Sequence, residues 1–312
     1  MRSLKIKFSL ITNVISITIL IVLGIATYLF VSKLIHEEVL RNEHNYIKMA
    51  KNSITFFNEK NLKTLKGYAK NILELPYEKI NNQQVLMENI GEELKLLRDA
   101  GGFLAVYIAQ PNGELIVSDT DSDSKGLDFG IYGKADNYDA RTKEYYQEAL
   151  KTNDVYVTSS YIDATSKLPC FTYSKALYKD GKFIGVLAID VLTKDLQQEY
   201  EANPGRTFAF DKNNKIFAAT DKFQLSQEYD ASHIAIPAKE KADFEPFEYT
   251  RKKDGSRGLA MCVKVGENRV CTGQSISKIE EPINKMNYIQ IIIISIAIII
   301  NFVLIYALTA KL

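Results

Sequence analysis

Two stretches without a charged side chain stand at the two ends of the chain, Phe8 to Ser32 and Met286 to Ala310. Each is about 25 residues, enough for a helix to cross a hydrocarbon core of roughly 30 Å. The pattern predicts two membrane helices with an extracytoplasmic module strung between them. The first stretch reads as an uncleaved anchor, because its apolar core exceeds a signal-peptide h-region and a helical pattern runs straight on from it. Asn13, Gln290 and Asn301 interrupt the stretches and fit either helix–helix contacts or positions near an interface.

From Lys33 to Leu75 there is no proline, and the only glycine is Gly67. Leu40, Ile47 and Ile54 recur at a seven-residue spacing, with Ala50 and Phe57 beside them. This predicts a long stalk helix, rising roughly 60 Å, with Ile47 and Ile54 at a dimer seam; the alternative is that the stripe packs on the chain's own domain, and both can hold at different heights of one helix. Pro76 ends it. A second helix follows from Ile80 to Asp99.

Strands then alternate with turns. Phe103–Ala109 and Glu114–Ser118 flank the turn Gln110-Pro111-Asn112-Gly113. Asp119–Asp139 is a long polar loop and Thr142–Leu150 a short helix. Val155–Ser160, Phe171–Leu177 and Phe183–Val191 are strands, the last two joined at Lys179-Asp180-Gly181-Lys182. A helix from Leu192 to Glu201 precedes the break at Pro204-Gly205.

The strand–turn pattern then recurs. Arg206–Phe210 and Lys215–Ala219 flank one turn, Phe247–Arg251 and Leu259–Lys264 flank Lys252–Arg257, and Arg269–Ser275 closes the set. The expected fold is α+β: a long N-terminal helix and two tandem antiparallel-sheet domains between two transmembrane helices. The boundaries are an N-terminus at 1–7, membrane helix 8–32, stalk 33–75, distal domain 76–204, proximal domain 205–285 and membrane helix 286–310.

A net charge of +1 with both signs mixed excludes a nucleic-acid face. Arg2, Lys5 and Lys7 precede the first span and Lys311 follows the second, which puts both termini in the cytoplasm. Of the three cysteines, Cys170 stands alone. Cys262 and Cys271 flank a four-residue loop, Val265 to Asn268, and face each other across the strands. They form either a disulfide or two buried small side chains.

Asp119, Asp121 and Asp123 alternate as in a calcium loop but lack its glycine and terminal glutamate, so the segment reads as solvated. His36, His44 and His233 are scattered. There is no phosphate loop, zinc motif or nucleophile elbow, so neither catalysis nor a cofactor or metal is expected.

Three segments resemble the double Cache sensor domain of bacterial methyl-accepting chemotaxis receptors. Tyr138-Asp139-Ala140-Arg141-Thr142-Lys143-Glu144-Tyr145-Tyr146 is similar to that family's D-P-R-x-R-x-W-Y segment. Tyr161-Ile162-Asp163 matches its Tyr-x-Asp, and Gly185 to Asp190 its G-V-x-x-x-D. The resemblance covers essentially the whole chain and implies two PAS-like domains, the membrane-distal one holding the ligand.

In the amino-acid-sensing branch a cation and a tryptophan meet the ligand carboxylate, while Tyr and Asp residues hold its ammonium. Mapped by motif, Lys143 and Tyr145 lie on the carboxylate side, Tyr161, Asp163 and Asp190 on the ammonium side, and Tyr138 closes the pocket. Lys143 replaces an arginine and gives a point charge instead of a bidentate fork. Tyr145 replaces the tryptophan and Ala140 the proline. Without the resemblance, Arg141 and Lys143 are solvated charges, and Asp190 caps the turn after its strand.

The resemblance implies a chemoreceptor sensor for an amino acid or related small carboxylate or amine, sited in the inner membrane. It implies a homodimer, or a mixed receptor assembly through stalk and membrane helices. A receptor would continue past the second span into a signalling part; the sequence ends at Leu312. A fragment, a shortened receptor and an output supplied by a partner all stay open. Alternatives are a membrane-tethered binding protein without its own output, and the input module of a histidine kinase or diguanylate cyclase.

Overall fold

The computed structural model describes residues 2–164, 166–225, 231–252 and 254–311. Lys253, inside the predicted 252–257 turn, lies outside them. The chain forms two compact units: 1–45 with 244–261 and 273–312, and 46–243 with 262–272.

Helix α1 runs unbroken from Arg2 to Glu74, so the apolar stretch and the stalk are one element. It stops at Leu75, because a residue before proline is disfavoured in the helical region and Pro76 has no N–H to donate. Helix α2 (Gln83–Gly101) is capped at both ends. The Asn82 side chain accepts the Val85 N–H at 3.1 Å, and Gly102 takes φ +67 to close the C-terminus.

The first sheet contains β1 (Ala105–Ala109), β2 (Leu115–Ser118), β3 (Gly130–Tyr132), β4 (Tyr156–Val157), β5 (Tyr161–Ile162), β6 (Pro169–Lys179) and β7 (Lys182–Leu192). Its order is β3-β2-β1-β7-β6-β4, with β5 also on β6. Helices α3 (Thr120–Ser124) and α4 (Glu144–Ala149) lie in its connections, and α5 (Lys194–Glu201) follows it. The second sheet has order β10-β11-β12-β8-β9. Its strands are β8 (Thr207–Phe210), β9 (Ile216–Ala219), β10 (Pro246–Thr250), β11 (Arg257–Val265) and β12 (Asn268–Ser275); α6 (Ser232–Ala238) precedes β10 and α7 (Ile276–Lys311) ends the chain.

Several expectations change. The 119–139 loop holds α3 and the edge strand β3. In α3, Asp119 accepts the Ser122 N–H at 2.8 Å as a helix cap, and Asp123 accepts from the buried Arg98 at 2.8 Å. The strand expected at 155–160 shortens to β4, Tyr156–Val157, and a further short strand not anticipated, β5, begins directly after Ser160. The loop between Cys262 and Cys271 is the two-residue turn Gly266–Glu267, and the two cysteines are joined in a disulfide.

The stalk stripe also moves. Ile47, Ala50 and Ile54 are buried within the chain, at 0, 2 and 1 % exposure. Tyr200 donates to the Ala50 carbonyl at 3.3 Å and Asn203 to that of Tyr46 at 3.0 Å, which ties this face to α5 and the segment after it. The stripe therefore packs on the chain itself, and Met49 and Phe56 are the large apolar residues left exposed on this stretch of α1, at 50 and 66 %.

Two helices are long and apolar enough to cross a membrane, in α1 and in α7. Gln290 donates to the Gly24 carbonyl at 2.8 Å. A Cβ on Gly24 would lie 2.6 Å from Ile294 Cδ1, so a larger residue here would require that side chain to shift. A cleft of about 310 Å³ opens beside this contact, lined largely by apolar side chains such as Ile21, Ile25 and Ile291.

Candidate functional site

One face of the first sheet carries Ala105, Tyr107 and Ala109 of β1, Leu115 and Val117 of β2, and Val186 and Ala188 of β7. Ala140, Tyr145, Tyr146 and Ala149 cover it. Ser174 in β6 donates to the Tyr145 carbonyl at 2.9 Å and fixes α4 over the strands. Alanines at 105 and 188 keep the floor low next to Asp190, which Ala105 and Thr172 face across β7.

Asp190 is the hub. Its Oδ1 accepts from Thr172 Oγ1 at 2.6 Å and from Tyr107 Oη at 3.1 Å. Tyr161 Oη lies 3.0 Å from Thr172 Oγ1, and the Cys170 thiol donates to Tyr161 Oη at 3.5 Å. Enclosure pushes the Asp190 carboxyl up to about 6, against the donors Thr172, Tyr107 and Tyr161, and the Asp163 charge adds to the rise. Burial, reinforced by the charge of Asp190, raises the phenols of Tyr107, Tyr138, Tyr145 and Tyr161, so all four remain protonated donors. The same causes push the Cys170 thiol up to about 12.

Lys143 sits at the other end of an aromatic wall. Its Nζ is 4.9 Å from the centroid of Tyr138. Tyr138 Oη is 3.2 Å from Tyr145 Oη, and the Tyr145 ring meets Tyr107 edge-on at 5.4 Å. Three tyrosines thus link the cation to Asp190. Arg141, two residues before Lys143, is consumed locally: it donates to Asp139 at 2.7 Å, which holds that carboxyl below its usual range. Lys143 has no ion pair among the described residues, so its charge is available.

Asp163 closes its own loop, accepting the Ser166 N–H at 2.5 Å. It lies close enough to act on both Asp190 and Cys170. Five of the six predicted residues, Tyr138, Lys143, Tyr145, Tyr161 and Asp190, are thus linked by contacts through Tyr107 and Thr172, while Asp163 is held in its own loop nearby. Sequence reasoning missed Tyr107 and Thr172, which touch Asp190 directly, and Tyr132, whose ring lies 5.0 Å from that of Tyr138. Chemically, the arrangement sets a cation, Lys143, and an enclosed carboxylate, Asp190, at the two ends of a wall of tyrosines.

Comparison with known proteins identifies the family. The family described as methyl-accepting chemotaxis protein-like, first PDC sensor domain, matches residues 78–198. The sensory domain of the Campylobacter jejuni chemoreceptor Tlp3 is similar at 35% identity and TM-score 0.71, covering 80% of this chain and 99% of that one. The Tlp3 ligand-binding domain in complex with L-valine is similar at 35% identity and TM-score 0.69, over 80% of this chain and 98% of that one. The ligand-binding domain of Mlp24 with asparagine shares the fold at 20% identity and TM-score 0.61, over 81% and 99%. A comparison with curated proteins found no match. The chain belongs to the double Cache sensor domains of methyl-accepting chemotaxis receptors.

Proposed function

We propose that this protein is a two-pass membrane sensor whose membrane-distal domain, residues 76–204, binds a free amino acid. Asp190, Asp163 and Tyr161 hold the ammonium, Lys143 and Tyr145 hold the carboxylate, and Tyr138 closes over the ligand. The observation that carries this reading is the wall of Tyr138, Tyr145 and Tyr107 between an available cation and an enclosed carboxylate. A zwitterion satisfies both ends at once, and exclusion of water strengthens both contacts. The relatives point the same way: Tlp3 structures contain L-valine and isoleucine.

The protein acts as a binder and not as an enzyme. Residues 205–285 form the membrane-proximal domain and pass the bound state towards α7. Binding shifts the receptor's conformational equilibrium by its differential affinity for the two states. The module sits in the inner membrane with its sheets outside the cytoplasm, and pairs with a second receptor chain through α1 and the membrane helices.

Thermal melting of the full chain in nanodiscs against the twenty amino acids, small carboxylates and amines tests the reading. A ligand at 100 times its dissociation constant adds about 2.7 kcal/mol to stability. A shift with an amino acid that is lost in Asp190→Ala supports the site. A shift with carboxylates alone leaves Lys143 and removes the ammonium subsite.

A further inference from the structure

The turn between β8 and β9 makes a contact that closing its own hairpin does not require. Asp211 begins this turn and is 2 % exposed. Its Oδ1 accepts the N–H groups of Asn213 at 2.9 Å and Lys215 at 3.0 Å, which fixes the turn. Its Oδ2 points to the first sheet and accepts both the N–H of Ser160 at 2.9 Å and its hydroxyl at 2.8 Å. Ser160 is itself buried, at 6 % exposure. One carboxylate therefore receives four hydrogen bonds, two from each sheet's own segment. Such charge-assisted bonds are roughly twice as strong as neutral ones.

Ser160 is joined by one peptide bond to Tyr161, the first residue of β5. That strand is two residues long and meets β6 at only two positions, Tyr161 with Cys170 and Ile162 with Pro169. So short a strand has little ladder of its own to hold it. The hydroxyl of Tyr161 meets Thr172, which donates to Asp190. A continuous bonded path thus runs Asp211–Ser160–Tyr161–Thr172–Asp190. A second bridge from the same turn, Lys212 to Glu144 at 3.8 Å, is largely solvent-exposed and adds little.

We propose that Asp211 is a positioning residue for the ligand site: from the second sheet it sets the place of Tyr161, and through the same bonds ligand occupancy is read by the β8–β9 turn. The proposal rests on the amino-acid reading of the Asp190 site. Coupling between two sites is reciprocal, so an Asp211 that organises the ligand site must itself be organised by the ligand.

The test uses the full chain in nanodiscs, L-isoleucine as probe, and Asp211→Asn as the main variant. The asparagine carbonyl keeps the turn bonds to Asn213 and Lys215. Its NH2 faces the Ser160 N–H and cannot accept from it. Peptide-level hydrogen exchange without ligand is expected to speed up at least tenfold over residues 160–163. The affinity for L-isoleucine is expected to fall about tenfold. Ser160→Ala, which deletes one of the two bonds, gives about a third of each effect on a logarithmic scale and serves if the asparagine variant does not fold. Lys212→Ala stays within twofold of wild type.

In the wild type, L-isoleucine slows exchange over 211–215, and Asp211→Asn abolishes that response. Unchanged exchange over 160–163 in both variants overturns the proposal whether or not the probe binds. A merely structural Asp211 lowers the melting temperature equally with and without L-isoleucine and leaves its affinity unchanged, which also overturns it. If wild type binds no amino acid, the reading of the ligand site fails separately, and the ligand-free exchange still decides the role of Asp211.

Discussion

Thr172 and Asp190 face each other across β6 and β7, with Thr172 Oγ1 2.6 Å from Asp190 Oδ1, because Ile184 is an extra residue in β7. Below the bulge Leu177 pairs with Gly185, and above it Tyr178 pairs with Phe183. Without that insertion the hairpin would set Asp190 against Phe171. Thr172→Val is isosteric and removes the donor. A hydrogen bond to a charged group contributes about 1.5–3 kcal/mol, so amino-acid affinity measured by calorimetry falls roughly tenfold or more. Thr172→Ser retains the hydroxyl and most of the affinity.

That bulge also marks where the sequence ceases to be legible. The ends of the fold are plain, because uncharged runs at Phe8–Ser32 and Met286–Ala310 have few other uses. The hairpins are announced by Pro111–Gly113 and Asp180–Gly181. Lys143, Tyr145 and Asp190 stand out only through the family motifs. Thr172 does not, since counting back from the Asp180–Gly181 turn places Phe171 opposite Asp190. Tyr107 reads as core in an apolar strand; its role depends on being the diagonal neighbour of Asp190 across β1 and β7. The stalk stripe was legible as apolar but not as to its partner: a seven-residue repeat fits a second helix or the chain's own domain equally, and Ile47 and Ile54 chose the domain.

Asp190 should make both stability and binding depend on pH. Its native value, about 6, lies above the ordinary 3.8. Between these values the ligand-free native state holds a proton that the unfolded chain has lost. Stability without ligand therefore falls as pH rises from about 4 to about 6 and then levels off. An ammonium ligand selects the ionised carboxylate, so affinity rises towards pH 6, by at most about tenfold per unit, and is flat above it. Calorimetry in buffers of different ionisation enthalpy should register proton release on binding below pH 6. Asp190→Asn removes both dependences.

The Cys262–Cys271 bridge closes a short loop, the two residues being 9 apart in sequence. On the chain-entropy account a loop of that size is worth roughly 2–3 kcal/mol. Replacing both cysteines with alanine should lower stability by about that amount in chemical denaturation. Amino-acid affinity at the proposed site on the first sheet should change less than twofold.

The stalk makes a positional prediction. Two copies associating along α1 meet through Met49 and Phe56, since Ile47 and Ile54 are buried in the chain. Cysteine at position 56 should cross-link between chains in membranes, and cysteine at position 47 should not. Ile54→Ala should cost about 2–5 kcal/mol as a core truncation, whereas Phe56→Ala should leave the stability of one chain nearly unchanged.

The claim that one ligand bridges Lys143 and Asp190 is tested most directly by titrating the full chain with an amino acid that binds it, with its N-acetyl derivative and with its carboxamide. Removing either charge leaves a protein group unpaired, so each derivative should bind at least tenfold more weakly than the parent. Lys143→Ala should remove the penalty for the carboxamide alone, and Asp190→Asn the penalty for the N-acetyl compound alone. An N-acetyl derivative that binds wild type as tightly as the free amino acid would contradict the account.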